Sequence, residues 1–274
     1  MPSIRVYPNA KINIGLYVTR KRLDGFHDLV TTFFPVYGLH DTLDITEINT
    51  STTSFALEVR GNHELACEPN NILERAYGLL APFSPPKLRV CLTKYIPTGG
   101  GLGGGSADAS FFLRVVAPLC KKKVSSEQLA AIALQLGSDC SFFLLNTPCI
   151  GRGRGENLTP VTLNLKGYCL LIVVPAVHIS TKDAFAAISP QLPQSDLEET
   201  ILTPVESWKD TISNDFQEYV ISQYPHIGGL LTSLKESGAV YSSLSGSGSA
   251  VFGLYHQLTK LPNLPHCLVH LEQL

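Results

Sequence analysis

Charge is scarce in this sequence, and neither sign dominates. Charged residues make up 16% of the 274 positions, and the formal net charge is −2. This composition excludes the strongly basic balance that nucleic-acid-binding proteins use to reach phosphate backbones. We therefore expect no nucleic-acid partner and no attraction to an anionic membrane surface.

Long apolar runs are also missing. The longest, Tyr168–Val177, is too short to cross a bilayer and is interrupted by Pro175. The chain enters a predicted strand at Ile4, with no apolar leader before it. We expect a cytoplasmic protein without a membrane partner, present as a monomer or a weak homodimer.

The cysteines lack the spacing of a disulfide framework or a metal site. Their number, seven, is odd, they are scattered, and no two form a Cys-x-x-Cys pair. Several lie in apolar runs, where a free cysteine behaves as a small apolar residue. The pattern predicts a reducing compartment and no cysteine-based metal site. With 44% hydrophobic residues, the chain has the composition of a well-packed globular enzyme.

Glycine, in contrast, is concentrated in one short stretch. Six of the seven positions 99–105 are glycine. The residues before them, Leu88–Ile96, alternate like a strand, and a helix is predicted from Ala107 to about Ala117. A strand, a glycine loop and a helix start turn backbone N–H groups and the positive helix end toward an anion. This arrangement predicts a phosphate-binding loop.

Two standard nucleotide motifs do not fit this loop. A P-loop would need a lysine where Gly105 stands, before Ser106. A Rossmann fingerprint would need an acidic residue at the end of a second strand, but Lys121–Glu127 is predicted to be a loop and a helix start. The alternative of a flexible glycine linker stays open, although linkers are rarely flanked by a strand and an apolar helix.

Polar residues in four other places are candidates for a site. Lys11 and Asn13 share one face of a predicted strand, and they form either a polar site or an ordinary half-exposed face. His27, after an Asp-Gly turn, is either a recognition donor or a surface residue. Asp139 is expected at a helix N-terminus, as a functional carboxylate or as a simple N-cap. The loop Gly151–Glu156 suits a phosphate-rich ligand or an exposed hairpin turn.

The pattern also predicts how the chain is divided. We expect a domain boundary near residue 156, with lobes at 1–156 and 157–274. The stretch Pro190–Glu206, rich in Pro, Gln, Ser and Glu, is expected to be a mobile surface segment. The Ser/Gly loop at residues 245–249 is a third candidate for contact with a phosphate or with the glycine loop.

Three segments together resemble the motifs of the GHMP kinase superfamily. They are Pro8–Leu16 with its Ala-Lys-Ile-Asn run, Ile96–Ala107 with the glycines, and Ser243–Ala250 with Leu-Ser-Gly-Ser-Gly-Ser. The resemblance implies an α+β fold of two lobes. The N-terminal lobe is related to a ribosomal-protein domain and binds ATP, and the C-terminal lobe is ferredoxin-like and binds substrate. The segments Asp24–His27, Leu136–Phe143 and Gly153–Glu156 are similar to a member that phosphorylates the 2-hydroxyl of a cytidine-diphosphate-linked methylerythritol, a polyol on the non-mevalonate route to isoprenoids.

The resemblance also implies roles for single residues. Asp139 would be the catalytic carboxylate and Lys11 its partner. Asn13, Phe26 and His27 would hold the cytidine diphosphate, and Phe185 would sandwich the base against Phe26. Asn71 and Lys94 would lie near the adenine, and Ser106 would lie near a nucleotide-bound Mg²⁺. The full set of residues expected to bind ATP is Pro97, Gly99, Gly100, Gly101, Leu102, Gly103, Gly104, Gly105, Ser106, Asn71 and Lys94.

Two other functions stay open at this point. One is a different GHMP kinase, acting on homoserine, mevalonate or a sugar. The other is a ligand-binding relative that kept the fold and lost the chemistry, because a fold does not fix a function. Phe26 also stands where many family members have tyrosine, so a hydroxyl contact is missing while ring stacking is retained.

Overall fold

The computed structural model describes residues 3–49, 53–62, 65, 70–193 and 195–274; Cys67 lies outside them. The chain forms two compact units, each assembled from separate segments. The first contains Met1–Ala10, Val36–Pro97 and Gly103–Asn146, and the second contains Lys11–Pro35, Thr98–Leu102 and Thr147–Leu274. The expected ATP-binding and substrate-binding lobes, divided at residue 156, stay a prediction, because compactness does not report what a segment binds.

The first unit contains a four-stranded sheet in the order β1-β4-β6-β5. Its strands are β1 (Ser3–Val6), β4 (Thr42–Glu47), β5 (Phe55–Arg60) and β6 (Leu88–Thr93). Strand β5 runs parallel to β6, and the other neighbours are antiparallel. Alternate residues of β4 and β6, including Leu43, Ile45 and Val90, are buried in one apolar cluster with helix residues of this unit. The period-two pattern of these strands therefore places one face of the sheet in the core.

Among the described residues of the first unit, the helices of six or more residues are α1 (Ile72–Leu79), α2 (Gly104–Val116), α3 (Ser126–Leu136) and α4 (Cys140–Leu145). The predicted capping box of α3 is confirmed, because the Ser125 side chain accepts from the Gln128 backbone and Gln128 accepts from the Ser125 backbone. The C-cap of α3 is Gly137, as expected. Helix α2 begins three residues earlier than predicted, so two glycines lie in its first turn.

The second unit contains an antiparallel sheet in the order β10-β11-β9-β12. Its strands are β9 (Cys169–Pro175), β10 (Tyr241–Leu244), β11 (Val251–Tyr255) and β12 (Cys267–Gln273). Its helices are α5 (Thr181–Ala187), α6 (Leu197–Thr200), α7 (Val205–Thr211), α8 (Phe216–Gln223) and α9 (Pro225–Glu236). Leucines and isoleucines of α9 pack against β9, β10 and β11 to form the core of this unit.

A further sheet has the order β2-β3-β7-β8. It contains β2 (Asn9–Lys21), β3 (His27–His40), β7 (Cys149–Gly153) and β8 (Asn157–Pro160). Within the second unit, Leu29–Phe33 of β3 pairs with β7, and β7 pairs with β8. The predicted glycine-rich loop Gly151–Glu156 is therefore half strand and half hairpin turn, which agrees with the hairpin alternative.

The expectation that Pro190–Glu206 is a mobile surface segment is wrong for the second half of that stretch. Leu197, Ile201 and Val205 are each less than a tenth exposed. Leu197 begins α6, Ile201 is its C-cap and Val205 begins α7, so the burial of these apolar side chains outweighs the polar composition around them. Among the described residues, no helix is long and apolar enough to span a membrane.

Candidate active site

The glycine loop is held by its carbonyl oxygens. Gly100 O accepts from Ala250 N at 3.0 Å, and Leu102 O accepts from Lys11 N at 3.0 Å. Between them, Gly101 O accepts from Lys11 Nζ at 2.9 Å and from Ser245 Oγ at 3.0 Å. The predicted contact between the Ser/Gly loop and the glycine loop is thus confirmed. These bonds engage the negative ends of three successive peptide dipoles, which would otherwise repel a phosphate.

Glycine is required at Gly101 for two separate reasons. Its φ of +75° is a backbone conformation that side chains disfavour. A Cβ atom built there would lie 2.1 Å from the Ser245 carbonyl oxygen, far inside van der Waals contact. The glycine at position 101 therefore reflects a close approach of two backbones and not a flexible linker.

Lys11 and Asn13 form a buried polar pair on β2. They are 3% and 2% exposed, so the alternative of an ordinary half-exposed strand face is wrong. Lys11 Nζ donates to Asn13 Oδ1 at 2.5 Å and lies 5.6 Å from the centroid of the Phe33 ring. Asn13 Nδ2 donates to Thr31 Oγ1 at 2.9 Å. A buried ammonium is therefore fixed beside the glycine loop by hydrogen-bond acceptors.

Ser106 and Asp139 lie beside the same short segment of the first unit. Ser106 is in the first turn of α2, and a Cβ atom built on Gly137 would lie 3.4 Å from its hydroxyl oxygen. Burial raises the pKa of the Cys140 thiol, a hydrogen bond from Ser106 lowers it, and the charge of Asp139 raises it. The Ser106 hydroxyl and the Asp139 carboxylate therefore both influence the pKa of one thiol, that of Cys140. Cys140 is the first residue of α4.

Asp139 is the N-cap residue of α4, as the sequence predicts. Its side chain, however, makes no capping hydrogen bond to the first turn of that helix, all of which the structure describes. The alternative that the carboxylate serves as a simple N-cap therefore receives no support from the geometry.

Two oxygen donors of the first unit are candidates for contact with a cation. Within the part of the chain that the structure describes, no three His, Cys, Asp or Glu side chains are close enough to hold a metal ion. Ser106 and Asp139 supply two oxygen donors in one region, and Mg²⁺ prefers oxygen ligands shared with nucleotide phosphates. These two donors fit an oxygen-preferring divalent cation such as Mg²⁺.

The two residues expected near adenine differ in how their polar atoms are occupied. Asn71 is the N-cap of α1, and its Oδ1 accepts from Leu73 N at 3.0 Å. Its buried Nδ2 has no hydrogen-bond partner in the described residues. Asn71 therefore offers a donor to a ligand.

Lys94, the second of these residues, is held by two carboxylates. Its ammonium donates to Asp41 and, at 2.8 Å, to Asp108 Oδ2, and all three side chains are almost fully buried. Asp41 Oδ1 also accepts from the backbone of Tyr95 and Ile96 at 2.5 and 2.9 Å. This buried triad fixes the chain just before the glycine loop, a role that the sequence prediction missed because Asp41 and Asp108 lie outside every motif.

Burial is the largest influence on the pKa of Asp108. Burial first, and then the charge of Asp41, raise the pKa of Asp108 to about 8 against the attraction of Lys94. The Asp108 Oδ1 atom is buried with no hydrogen-bond partner among the residues described. An ionised Asp108 is therefore poorly compensated, and the carboxyl retains its proton far above the usual range.

The aromatic residues expected to hold the base lie in the second unit, where each contacts another side chain. Phe185 stacks on His27, with ring centroids 5.0 Å apart and planes at 22°, and meets Phe216 edge-on. Phe26 is covered on one side by Arg154, whose guanidinium carbon lies 3.8 Å from the ring centroid. The sandwich of a base between Phe26 and Phe185 stays a prediction.

The fold and the anchored glycine loop define the class of protein as a GHMP kinase. The model of the family described as GHMP kinases N terminal domain matches residues 70–147, and that described as GHMP kinases C terminal matches residues 197–266. A solved homoserine kinase from Cytophaga hutchinsonii, 16% identical with a TM-score of 0.64 and covering 93% of this chain and 86% of its own, shares the fold. The expected two-lobed α+β kinase fold is therefore confirmed.

Relatives of higher sequence identity indicate which family of GHMP kinases the chain belongs to. A protein of Bacteroides fragilis named 4-diphosphocytidyl-2-C-methyl-D-erythritol kinase is 44% identical over 94% of both chains, and one of Porphyromonas gingivalis with that name is 39% identical over 93% of both. A solved 4-(cytidine 5'-diphospho)-2C-methyl-D-erythritol kinase is 30% identical, with a TM-score of 0.74, and covers 92% of this chain and 90% of its own. The chain belongs to the 4-diphosphocytidyl-2-C-methyl-D-erythritol kinase family.

Proposed function

We propose that this chain transfers the γ-phosphate of ATP to the 2-hydroxyl of 4-diphosphocytidyl-2-C-methyl-D-erythritol, on the non-mevalonate route to isoprenoids. The main support for this function is the 44% identity over 94% of both chains with a relative named for that kinase activity. A cytoplasmic location and a monomer or weak homodimer belong to the same proposal.

The glycine loop binds the ATP phosphates. Phosphoryl transfer needs alignment and positive charge around the moving group more than covalent help. The loop carbonyls at Gly100, Gly101 and Leu102 are occupied by protein donors, and the loop leads into the N-terminal end of α2, which favours an anion. Asn71 Nδ2 donates to the adenine. Ser106 would help to hold a nucleotide-bound Mg²⁺, which would neutralise charge on the phosphates.

Asp139 accepts the proton of the substrate hydroxyl. The carboxylate lies at the first turn of α4 without capping it, and general-base catalysis of this kind contributes about 10²–10⁴-fold. Lys11 acts through its buried ammonium, whose position is fixed by Asn13 and by Gly101 O. In this role it orients the reacting groups and balances developing negative charge.

The cytidine diphosphate end of the substrate is held by Asn13, Phe26, His27 and Phe185. A nucleobase offers two flat faces, and aromatic rings stack on such faces with an offset or edge-on geometry. His27 and Phe185 already form one stacked pair in the second unit. A substrate without a base would gain nothing from these rings, which distinguishes this activity from other GHMP kinases.

Steady-state kinetics with four alcohols tests this function. We would measure ADP release from Mg-ATP with 4-diphosphocytidyl-2-C-methyl-D-erythritol, homoserine, mevalonate and galactose. We expect turnover only with the cytidylyl substrate, and Phe185→Ala to raise KM for that substrate while leaving KM for ATP unchanged. Turnover with another alcohol, and none with the cytidylyl substrate, would reject the substrate assignment but keep the kinase class.

A further inference from the structure

Arg154 lies on the ring of Phe26 in the second unit. Its guanidinium carbon is 3.8 Å from the ring centroid, which is the distance of direct stacking between a cation and an aromatic face. About half of the Phe26 surface, 49%, stays exposed. One face of the ring is therefore covered by a cation, while the rest of the ring can still be reached from solvent.

Both partners of this contact are held by their own turns. Phe26 N donates to Asp24 Oδ1 at 3.1 Å, and Phe26 O accepts from Arg22 N at 2.8 Å. In the hairpin between β7 and β8, Arg154 N donates to Glu156 Oε2 at 2.5 Å. The two turns are more than a hundred residues apart in sequence, so the stacking contact joins two separately fixed loops.

The electrostatics of Asp24 agree with a cation at this place. A hydrogen bond from Arg22 is the largest cause that lowers the pKa of the Asp24 carboxyl, and the charge of Arg154 adds to it. Asp24 therefore binds the Phe26 backbone and also lies within the field of the guanidinium.

We propose that Arg154 is a positioning residue for nucleobase recognition, which stacks on one face of Phe26 so that the opposite face is presented to the base of the substrate. The order of stacking is then guanidinium, phenyl ring, base. Arg154 fixes the ring plane and, as a cation on the far face, leaves the near face for an electron-poor base. This role depends on the proposed kinase activity, because it assigns a function to the base end of that substrate.

The test is a set of variants assayed with the full-length enzyme, Mg-ATP and 4-diphosphocytidyl-2-C-methyl-D-erythritol. We expect Arg154→Ala to raise KM for the cytidylyl substrate about threefold to tenfold, in the range of an exposed or partly desolvated cation–π contact. The kcat and the KM for ATP should stay within about twofold of the wild-type values, because loss of a charge near the surface has little effect elsewhere. Arg154→Lys, which keeps the charge and loses the planar stack, should give an intermediate KM.

Arg152→Ala is the matched control. Arg152 is two residues away on β7, and its guanidinium pairs with Glu198 at 2.7 Å in a half-exposed ion pair. The control removes the same charge without touching Phe26. We expect it to leave KM for the cytidylyl substrate within about twofold, because exposed pairs contribute little.

A double-mutant cycle separates positioning from direct charge contact. In a Phe26→Leu background, the effect of Arg154→Ala on KM should fall below about twofold, because the ring through which it acts is gone. An equal effect in both backgrounds would show that Arg154 contacts the substrate directly, and would overturn the positioning role. A lower KM in Arg154→Ala would also overturn it, because the guanidinium would then occupy the face that the base needs.

Turnover by the wild-type enzyme distinguishes a failure of the proposed function from a failure of the proposed role of Arg154. If it does not turn over the cytidylyl substrate, the proposed function fails and the role of Arg154 fails with it. If it does, and Arg154→Ala has an unchanged KM, only the role of Arg154 is rejected.

Discussion

Replacing Gly101 by alanine tests how the glycine loop is held. The left-handed backbone costs a residue with a Cβ atom about 1–2 kcal/mol. The new methyl group would lie 2.1 Å from the Ser245 carbonyl oxygen, so the two backbones must separate. Two hydrogen bonds to Gly101 O would be lost, at about 1 kcal/mol each, for a total decrease of roughly 3–4 kcal/mol in the free energy of unfolding.

Urea denaturation followed by tryptophan fluorescence suits this measurement. The sequence has one tryptophan, Trp208, which is fully buried in α7 and belongs to the same compact unit as Gly101. Gly105→Ala is the matched control in the same stretch, because nothing lies within 4 Å of its built Cβ atom. We expect that control to leave stability unchanged or to raise it by up to about 1 kcal/mol. Equal stability of the two variants would refute the packing described for Gly101.

The remaining predictions concern the buried triad and Asp139, the carboxylate proposed as the general base. Lys94→Met leaves Asp41 and Asp108 without their cation, and it should lower the free energy of unfolding by about 3–5 kcal/mol in urea denaturation. Because burial raises the pKa of Asp108 to about 8, the native protein binds this proton more tightly than the unfolded chain does. Stability of the wild type relative to Asp108→Asn should therefore decrease from about pH 4 to about pH 8 in urea denaturation. Asp139→Asn should lower kcat by about 10²–10⁴-fold in the ADP-release assay while ATP affinity, measured by calorimetry, changes only a few fold.

Each of these has an outcome that would contradict it. A Lys94→Met protein as stable as the wild type would show that the carboxylates do not need the ammonium. A constant stability difference between wild type and Asp108→Asn across that pH range would show that Asp108 is ionised throughout. Near-normal turnover in Asp139→Asn would remove the general-base role.

The features predicted well from the sequence are those that depend on local chemistry. The capping box at Ser125 and Gln128 was predictable because both hydrogen bonds form within one turn of helix. The pairing of Lys11 and Asn13 was predictable because strand residues two apart share a face. The resemblance of three motifs then gave the kinase fold, which the family comparison confirms.

The features that the sequence did not predict depend on contacts between distant segments. Lys94 lies 53 residues from Asp41, and no local pattern marks that carboxylate as its partner. The burial of Leu197 was obscured by the polar residues around it. The contact of Arg154 with Phe26 requires two hairpins to meet, so the arginine could be noticed in the sequence while its partner could not.

Phosphorus NMR of the reaction product tests the central claim most directly. After incubation of the enzyme with Mg-ATP and 4-diphosphocytidyl-2-C-methyl-D-erythritol, we predict one new phosphomonoester resonance with an equivalent amount of ADP. The resonance should lack three-bond proton coupling, because the 2-carbon of the polyol carries the methyl group and no hydrogen. An unchanged substrate spectrum, or a phosphate on another hydroxyl, would contradict the proposed reaction even if the protein binds ATP.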